Sequence, residues 1–129
     1  MLTHYRPTPT EVAMLTVFMV LDYARERGKS TTRGRISPMT LRALSLRQTL
    51  RRKFVKDWVA ELGEIGWTAF SVGDGWAIIK TDTIEGWARF GSKRIRSTLQ
   101  RIKNGDDAAL REVAAKVLPD VVLEEDNED

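Results

Sequence analysis

The clearest helical period in this sequence lies in SLRQTLRRKFVKDWVAELGEIGW, residues 45–67. Its apolar residues recur at spacings of three and four, which places them on one stripe of an α-helix. Ser45 and Gln48 have the spacing of a capping box, in which each side chain satisfies a backbone N–H of the first turn. We therefore predict a helix over residues 46–65 with one buried face, formed by Leu46, Leu50, Phe54, Val55, Trp58, Val59, Leu62 and Ile65.

The other face of this predicted helix is basic in its first half and acidic in its second half. This order opposes the helix macrodipole, which favours acids early and bases late. Folding stability does not explain the arrangement, so we expect an anionic partner at the N-terminal half; a solvated basic face is the alternative. The bases are Arg47, Arg51, Arg52, Lys53 and Lys56, and the acids are Asp57, Glu61 and Glu64.

The composition predicts one globular domain. The chain has 129 residues, of which 42% are hydrophobic and 30% charged, and this length is enough for a hydrophobic core. It has no cysteine, which excludes disulfides, thiolate metal sites and cysteine nucleophiles. The start has no signal-peptide pattern, and the longest apolar run, residues 12–21, is too short to span a bilayer. We expect a cytoplasmic protein.

The positive charge is concentrated in one part of the chain. Six of the 18 acids lie in the last ten residues, which leaves 21 bases against 12 acids in the rest. Between Arg25 and Lys56 eleven bases accompany a single acid, Glu26. Such a basic stripe is typical of a surface that binds polyanions. The acidic segment 119–129 has too little apolar content to pack and is predicted to be a disordered tail.

Two further helices are predicted before residue 45. Thr8-Pro9-Thr10-Glu11 combines a capping box with proline at the first helical position, and Gly28 is a natural helix stop. Because residues 12–21 are apolar on nearly every side, we expect this helix to lie at the centre of the domain or also to form a dimer interface. After the basic loop 29–35, Ser37-Pro38 starts a short helix over residues 38–44. Joined at Ser45 to the charged helix, it makes a helix-turn-helix; a continuous bent helix is the alternative.

A β-hairpin is predicted after Gly66, where the apolar period changes from 3.6 to 2. Strands over residues 67–72 and 76–81 flank the turn residues Asp74-Gly75. We expect Val72 to pair with Ala77, and Phe70 with Ile79, on the core face, which leaves Trp76 at the tip on the other face.

The rest of the chain is predicted to be helical. An apolar stripe with spacings of three and four indicates a helix from about residue 83 to Asn104-Gly105. Asp106 or Asp107 then caps a shorter helix. We expect a single domain over residues 1–118, with its core in 9–82 and a helical extension in 83–118.

This order of elements is similar to that of the winged helix-turn-helix superfamily. The resemblance spans about residues 9–82 and depends on ISPMTLRALSLRQTLRRKFVKDWVAELGEIGWTAFSVGDGWAII, residues 36–79. It implies an α+β fold, mainly α with a small β-hairpin, whose charged helix enters the major groove and whose hairpin lies along the DNA as the wing. Two features depart from the pattern: the wing is short with only Lys80 for charge, and Trp76 is an unusual tip residue.

Candidate binding residues follow from this resemblance and from side-chain chemistry. Arg47 can pair with guanine and Gln48 with adenine, so both are candidate base readers, although Gln48 is equally explained as a cap. Trp76 is a candidate wing tip or partner contact, whereas Trp58, Trp67 and Trp87 are predicted to be core. The candidate phosphate contacts are Lys29, Arg33, Arg35, Arg42, Arg51, Arg52, Lys53 and Lys80.

An enzyme is not expected. The only histidine, His4, precedes the first helix, so no serine–histidine or metal–histidine site can be assembled. Gly73-Asp74-Gly75 joins two strands and lacks the lysine of a phosphate-binding loop. We expect no cofactor and no metal.

Three functions remain. The first is a sequence-specific, double-stranded DNA-binding regulator of transcription that acts as a homodimer. The second is a protein-binding adaptor or inhibitor on the same scaffold, and the third is non-specific nucleic-acid binding. For the dimer we expect an antiparallel contact between copies of the first helix that involves Met14 and Met19.

Overall fold

The computed structural model describes residues 5–118. His4 and the acidic segment 119–129 lie outside the described residues. The chain divides into two compact units, Met1–Trp87 and Ala88–Asp129. The boundary between these units follows Trp87, within the segment 83–118 that was predicted as a helical extension.

The first two helices confirm the capping signals. Helix α1 spans Pro9–Arg27; the Thr8 side chain accepts from the Glu11 N–H, and Gly28 ends the helix in the left-handed conformation. Helix α2 spans Pro38–Ser45, with Ser37 as its N-cap. These short-range signals were sufficient because a cap satisfies backbone groups within one turn of itself.

The charged helix, α3, spans Arg52–Glu64, so the prediction that it begins at residue 46 is wrong. Residues 46–51 form the turn between α2 and α3. Ser45 is the last residue of α2, and its buried hydroxyl donates to the Arg42 carbonyl instead of capping a new helix. Leu46 takes the left-handed conformation, with φ 55°, and the Arg47 N–H closes the end of α2 on the Arg42 carbonyl. The two helices are therefore separate, which excludes the continuous bent helix.

A three-stranded antiparallel sheet accompanies these helices. Strand β1 spans Arg33–Ile36, β2 spans Trp67–Val72 and β3 spans Gly75–Lys80, in the order β1-β3-β2. The hairpin turn is Gly73–Asp74, with Gly73 at φ 61°, so Val72 pairs with Gly75 and Phe70 with Ala77. The predicted pairing was therefore wrong by two residues.

The core face of the sheet is the opposite of the predicted one. Trp67, Ala69 and Ile78 are buried on this face, and Trp76 packs edge-on against Trp58 with ring centroids 5.5 Å apart. Of the four residues predicted to face inward, only Ile79 is buried. Trp76 is thus part of the core packing and not an exposed wing tip.

Trp58 of α3 is the centre of the core. It is fully buried, and α3 packs against α1 and β2 around it. Its indole N–H donates to the Thr16 hydroxyl of α1 at 3.1 Å, and that hydroxyl donates to the Val12 carbonyl at 2.7 Å. Both polar groups are therefore satisfied inside an otherwise apolar interior.

The predicted helix over residues 83–103 is broken. A short helix, α4, spans Thr81–Glu85 at the end of the first unit, and Trp87 is 56% exposed, not core. In the second unit a 3₁₀ helix over Ser92–Ile95 leads into α5, Arg96–Lys103. Helix α6 spans Asp107–Val117 and is capped by Asp106, as predicted. Gly86 and Gly91, both poor helix formers, flank the break.

The described residues form an α+β fold, since helices predominate and the only strands among residues 5–118 are those of one small sheet. Over the same range no helix is long and apolar enough to cross a membrane.

Candidate nucleic-acid interface

The exposed side of α3 is basic in its first two turns. Phe54, Trp58 and Leu62 are buried, so the side chains on the opposite face point away from the core. That face carries exposed Arg52, Lys53 and Lys56, with exposed Arg51 at the N-cap. We call these four residues the α3 basic face.

Only one of these four bases is ion-paired within the described residues. Lys53 contacts Asp57 at 2.9 Å, and no ion pair in residues 5–118 involves Arg51, Arg52 or Lys56. The first turn of α3 has no acidic residue, and no side chain caps it. Positive charge at a helix N-terminus is unfavourable by a few tenths of a kcal/mol or more, and Arg52 and Lys56 also repel each other at a spacing of four. An anionic ligand would relieve both effects.

Arg47 was predicted to lie on the first turn of the charged helix. In the structure it lies in the segment between α2 and α3 and is half-buried. Its Nη1 donates to the Pro7 carbonyl at 2.8 Å and to the Ser45 carbonyl at 3.1 Å. Its guanidinium lies 4.1 Å from the centre of the Phe54 ring. Burial, and then the nearby charge of Arg6, lower the Arg47 pKa from its usual value. These contacts give Arg47 a structural role in joining the N-terminal segment to the turn.

Gln48 is not a helix cap. It lies exposed in the turn before α3, and the capping box predicted for it is absent because Ser45 belongs to α2. Its side chain is therefore accessible to a ligand beside the α3 basic face, as is exposed Arg42 in the last turn of α2.

The remaining predicted phosphate contacts do not join this face. In β1, Ile36 points into the core, so Arg33 and Arg35 project from the outer face of the sheet, opposite Ile79 and Ala77 of β3. Lys29 lies in the loop before β1. Lys80 pairs with Trp67, at the end of the hairpin remote from the turn. The basic stripe seen in the sequence is thus divided between two faces of the first unit.

The sequence analysis placed Lys56 on the basic face of the predicted helix but left it out of the candidate phosphate contacts. Its spacing of four from Arg52 was the available signal, because residues four apart lie on the same side of a helix. Met39 was also missed, and Leu46 was wrongly predicted to lie on the buried face of the charged helix. The two side chains are 72% and 62% exposed, and they line a shallow depression with Arg42, Arg47 and Gln48.

Comparisons with protein-family models, with curated proteins and with solved structures found no match. Within residues 5–118 no group of three or more histidine, aspartate or glutamate residues could hold a metal ion.

Proposed function

We propose that this chain binds double-stranded DNA as a winged-helix protein, with the α3 basic face in the major groove. The observation that carries the proposal is the exposed and uncompensated charge of Arg51, Arg52 and Lys56 on two consecutive turns of one helix. These basic side chains are held in a row on one helix, and this arrangement matches a DNA duplex. The major groove accepts an α-helix between two rows of phosphates.

The order of elements supports a winged-helix fold. A strand lies between α1 and α2, the helix-turn-helix follows, and a hairpin comes after α3. In this arrangement the hairpin turn would be the wing. Here the turn is only Gly73–Asp74 and carries an acid, so we assign the hairpin no phosphate contact and α3 the main part of the binding.

We propose different roles for the residues around α3. Arg51, Arg52 and Lys56 contact phosphates, which position the protein without reading sequence. Gln48 is the candidate for base recognition, since its amide can pair with adenine and it makes no capping contact. A role in transcription regulation would follow from sequence-specific binding.

Single substitutions test this assignment. We expect Arg52→Ala and Lys56→Ala each to weaken binding to a random duplex several-fold at low salt, because each removes one phosphate contact. Arg33→Ala is the matched control, since it removes an exposed arginine from the outer face of the sheet. Fluorescence anisotropy with a labelled duplex measures all three. Equal losses for all three variants would mean that only net charge matters, which would contradict the assignment to α3.

A protein-binding adaptor is the second candidate function. The observation that favours it is the exposed apolar pair Met39 and Leu46, because protein interfaces are enriched in such side chains. Binding of the wild-type protein to duplex DNA at low salt distinguishes the two candidate functions. Absence of binding under these conditions would favour the adaptor.

A further inference from the structure

Helix α1 has a second apolar face that the domain does not use. Its buried residues are Val12, Ala13, Thr16 and Val20. On the opposite side Met14, Phe18 and Leu21 are 52%, 64% and 57% exposed, with Leu15 beside them at 38%. Met19, the other residue predicted for a dimer interface, is half-buried and packs against the core, so it does not belong to this exposed face.

The exposed residues have the spacing of a coiled-coil seam. From Met14 to Phe18 and from Phe18 to Leu21 the steps are four and three residues, the alternation that keeps side chains on one edge of a helix pair. The same alternation continues to Glu11 on the N-terminal side and to Arg25 on the C-terminal side. We call these five residues the α1 seam.

We propose that the α1 seam pairs with the α1 seam of a second copy of this chain, antiparallel, around a two-fold axis at Phe18. The occupant follows from the symmetry of the seam. Glu11 and Arg25 are each seven residues from Phe18, about 10.5 Å along a helix. In an antiparallel pair each Glu11 therefore meets the partner's Arg25, Met14 meets the partner's Leu21, and Phe18 meets its own copy.

A parallel pair lacks this complementarity. It would align Glu11 with Glu11 and Arg25 with Arg25, and like charges at facing positions are unfavourable. The antiparallel pair converts the same four groups into two ion pairs. In the single chain Arg25 pairs with Asp22 on the surface, and an exposed contact of this kind contributes little and is easily exchanged. The Glu11 carboxylate accepts from the Thr8 N–H and the Tyr5 hydroxyl, both through Oε1, which leaves Oε2 for the partner's Arg25.

This inference does not depend on the proposed function, because it is tested without nucleic acid. A single helix pair falls in the small class of interfaces, below about 1,200 Å² of buried surface, so we expect a dimer at tens of micromolar.

Sedimentation of the full chain from about 5 to 200 μM should show this association. Phe18→Lys should raise the dimer Kd about 30-fold or more, as expected for removal of a central aromatic contact. Phe70→Lys, the same substitution at a half-exposed position on the outer face of the sheet, should leave the Kd unchanged.

Circular dichroism shows whether each variant is folded. A wild-type chain that remains monomeric at 200 μM would overturn the proposal, as would a folded Phe18→Lys variant that still dimerises. If Phe18→Lys does not fold, Phe18→Ser provides the same test with a smaller side chain and no charge.

Cross-linking tests the orientation, because the chain has no cysteine of its own. On the two-fold axis Phe18→Cys should form a disulfide with its own copy under mild oxidation. Leu21→Cys should not, since the antiparallel pair separates the two copies of residue 21 by about 9 Å along the helix, beyond the reach of a disulfide. Leu21→Cys mixed with Met14→Cys should give a mixed disulfide. A parallel pair would bring both positions next to their own copies, so self-linking of Leu21→Cys as readily as Phe18→Cys would contradict the proposal.

Discussion

Thr16 shows how one polar atom can fix the packing of two helices. Its hydroxyl accepts from the Trp58 indole and donates to the Val12 carbonyl, and Thr16 and Trp58 are fully buried. The sequence shows Thr16 only as the single polar residue in the apolar run of α1. Its partner lies 42 residues away, so no local pattern could identify the contact.

We expect Thr16→Val to lower the free energy of unfolding by about 1–3 kcal/mol, because it leaves the buried Trp58 N–H without an acceptor. Urea denaturation measures the change. Trp58→Phe in the Thr16→Val background should cost less than in the wild type, since no hydrogen bond then remains to be lost. A Thr16→Val variant as stable as the wild type would show that the hydrogen bond contributes nothing.

Leu46 is the only non-glycine residue of the described chain with a positive φ. The left-handed conformation costs an ordinary residue about 1–2 kcal/mol, and 62% of Leu46 is exposed, so its packing compensates little. Leu46→Gly should therefore raise stability by about 0.5 kcal/mol, after the greater flexibility of glycine in the unfolded chain is counted. Leu46→Val should lower it by about 1 kcal/mol, because branching at Cβ is poorly tolerated at positive φ. The thermal unfolding midpoint should rise above that of the wild type for Leu46→Gly and fall below it for Leu46→Val. A shift of both midpoints in the same direction would contradict this account.

The helices were easier to predict than the sheet. The starts of α1, α2 and α6 each depend on a cap within a few residues, and all three were correct. The start of α3 was wrong because Ser45 and Gln48 match a capping box in spacing while Ser45 ends the preceding helix. The prediction of which sheet face packs on the core was wrong because both faces are apolar. Phe70, Val72 and Ile79 alternate with Trp67, Ala69 and Ile78. Only packing against Trp58 selects between them.

Gly75 fixes the contact between β1 and β3. A Cβ at this position would lie 2.4 Å from the Ile36 carbonyl oxygen, whereas a Cβ at Gly34 would meet nothing within 4 Å. Because the obstacle is backbone, we expect Gly75→Ala to lower stability by about 1–3 kcal/mol. Gly34→Ala, the control in the neighbouring strand, should leave it unchanged or slightly higher. Chemical denaturation measures the free energy of unfolding of both variants. Equal losses would show that residue 75 does not lie this close to the Ile36 carbonyl.

In the second unit, Arg101 connects α5 to α6. It bonds to Glu112 at 2.8 Å and 3.0 Å and to Asp106 at 2.8 Å. These contacts lower the pKa of Asp106, which also accepts from the Ala108 N–H, and the pKa of Glu112. A carboxyl group whose pKa is lowered by folding adds stability above its unfolded pKa of about 4 and loses it as the pH falls through its folded pKa.

We therefore expect the carboxyl carbons of Asp106 and Glu112 to titrate below the usual values in NMR spectra. Arg101→Gln should return the Glu112 midpoint to its usual range, since Arg101 is the main cause of that shift. Asp106 should move back only partly, because its bond to the Ala108 N–H remains. Unchanged midpoints in the variant would contradict the pairing.

Across the whole chain, positive charge is abundant but divided. Composition predicted a polyanion partner without showing which bases act together. The fold places Arg51, Arg52, Lys53 and Lys56 on one face of α3 and turns Arg33 and Arg35 to the outer face of the sheet. That division could not be predicted from the sequence, because it depends on the pairing of β1 with β3, which lie 39 or more residues apart in the chain.

The division also makes the proposed function testable with charge-matched variants. Arg52→Ala/Lys56→Ala and Arg33→Ala/Arg35→Ala each remove two positive charges. Both pairs therefore change the net charge of the protein equally, and only the first pair changes the α3 basic face.

The most direct test is the salt dependence of binding to random duplex DNA. For the wild type, the logarithm of the binding constant should fall linearly with the logarithm of salt concentration, by about 0.9 for each phosphate contact. The Arg52→Ala/Lys56→Ala variant should have a slope shallower by about two such contacts, while the Arg33→Ala/Arg35→Ala variant should keep the wild-type slope. A wild-type slope in the α3 variant, or no binding by the wild type at low salt, would contradict the assignment of DNA binding to α3.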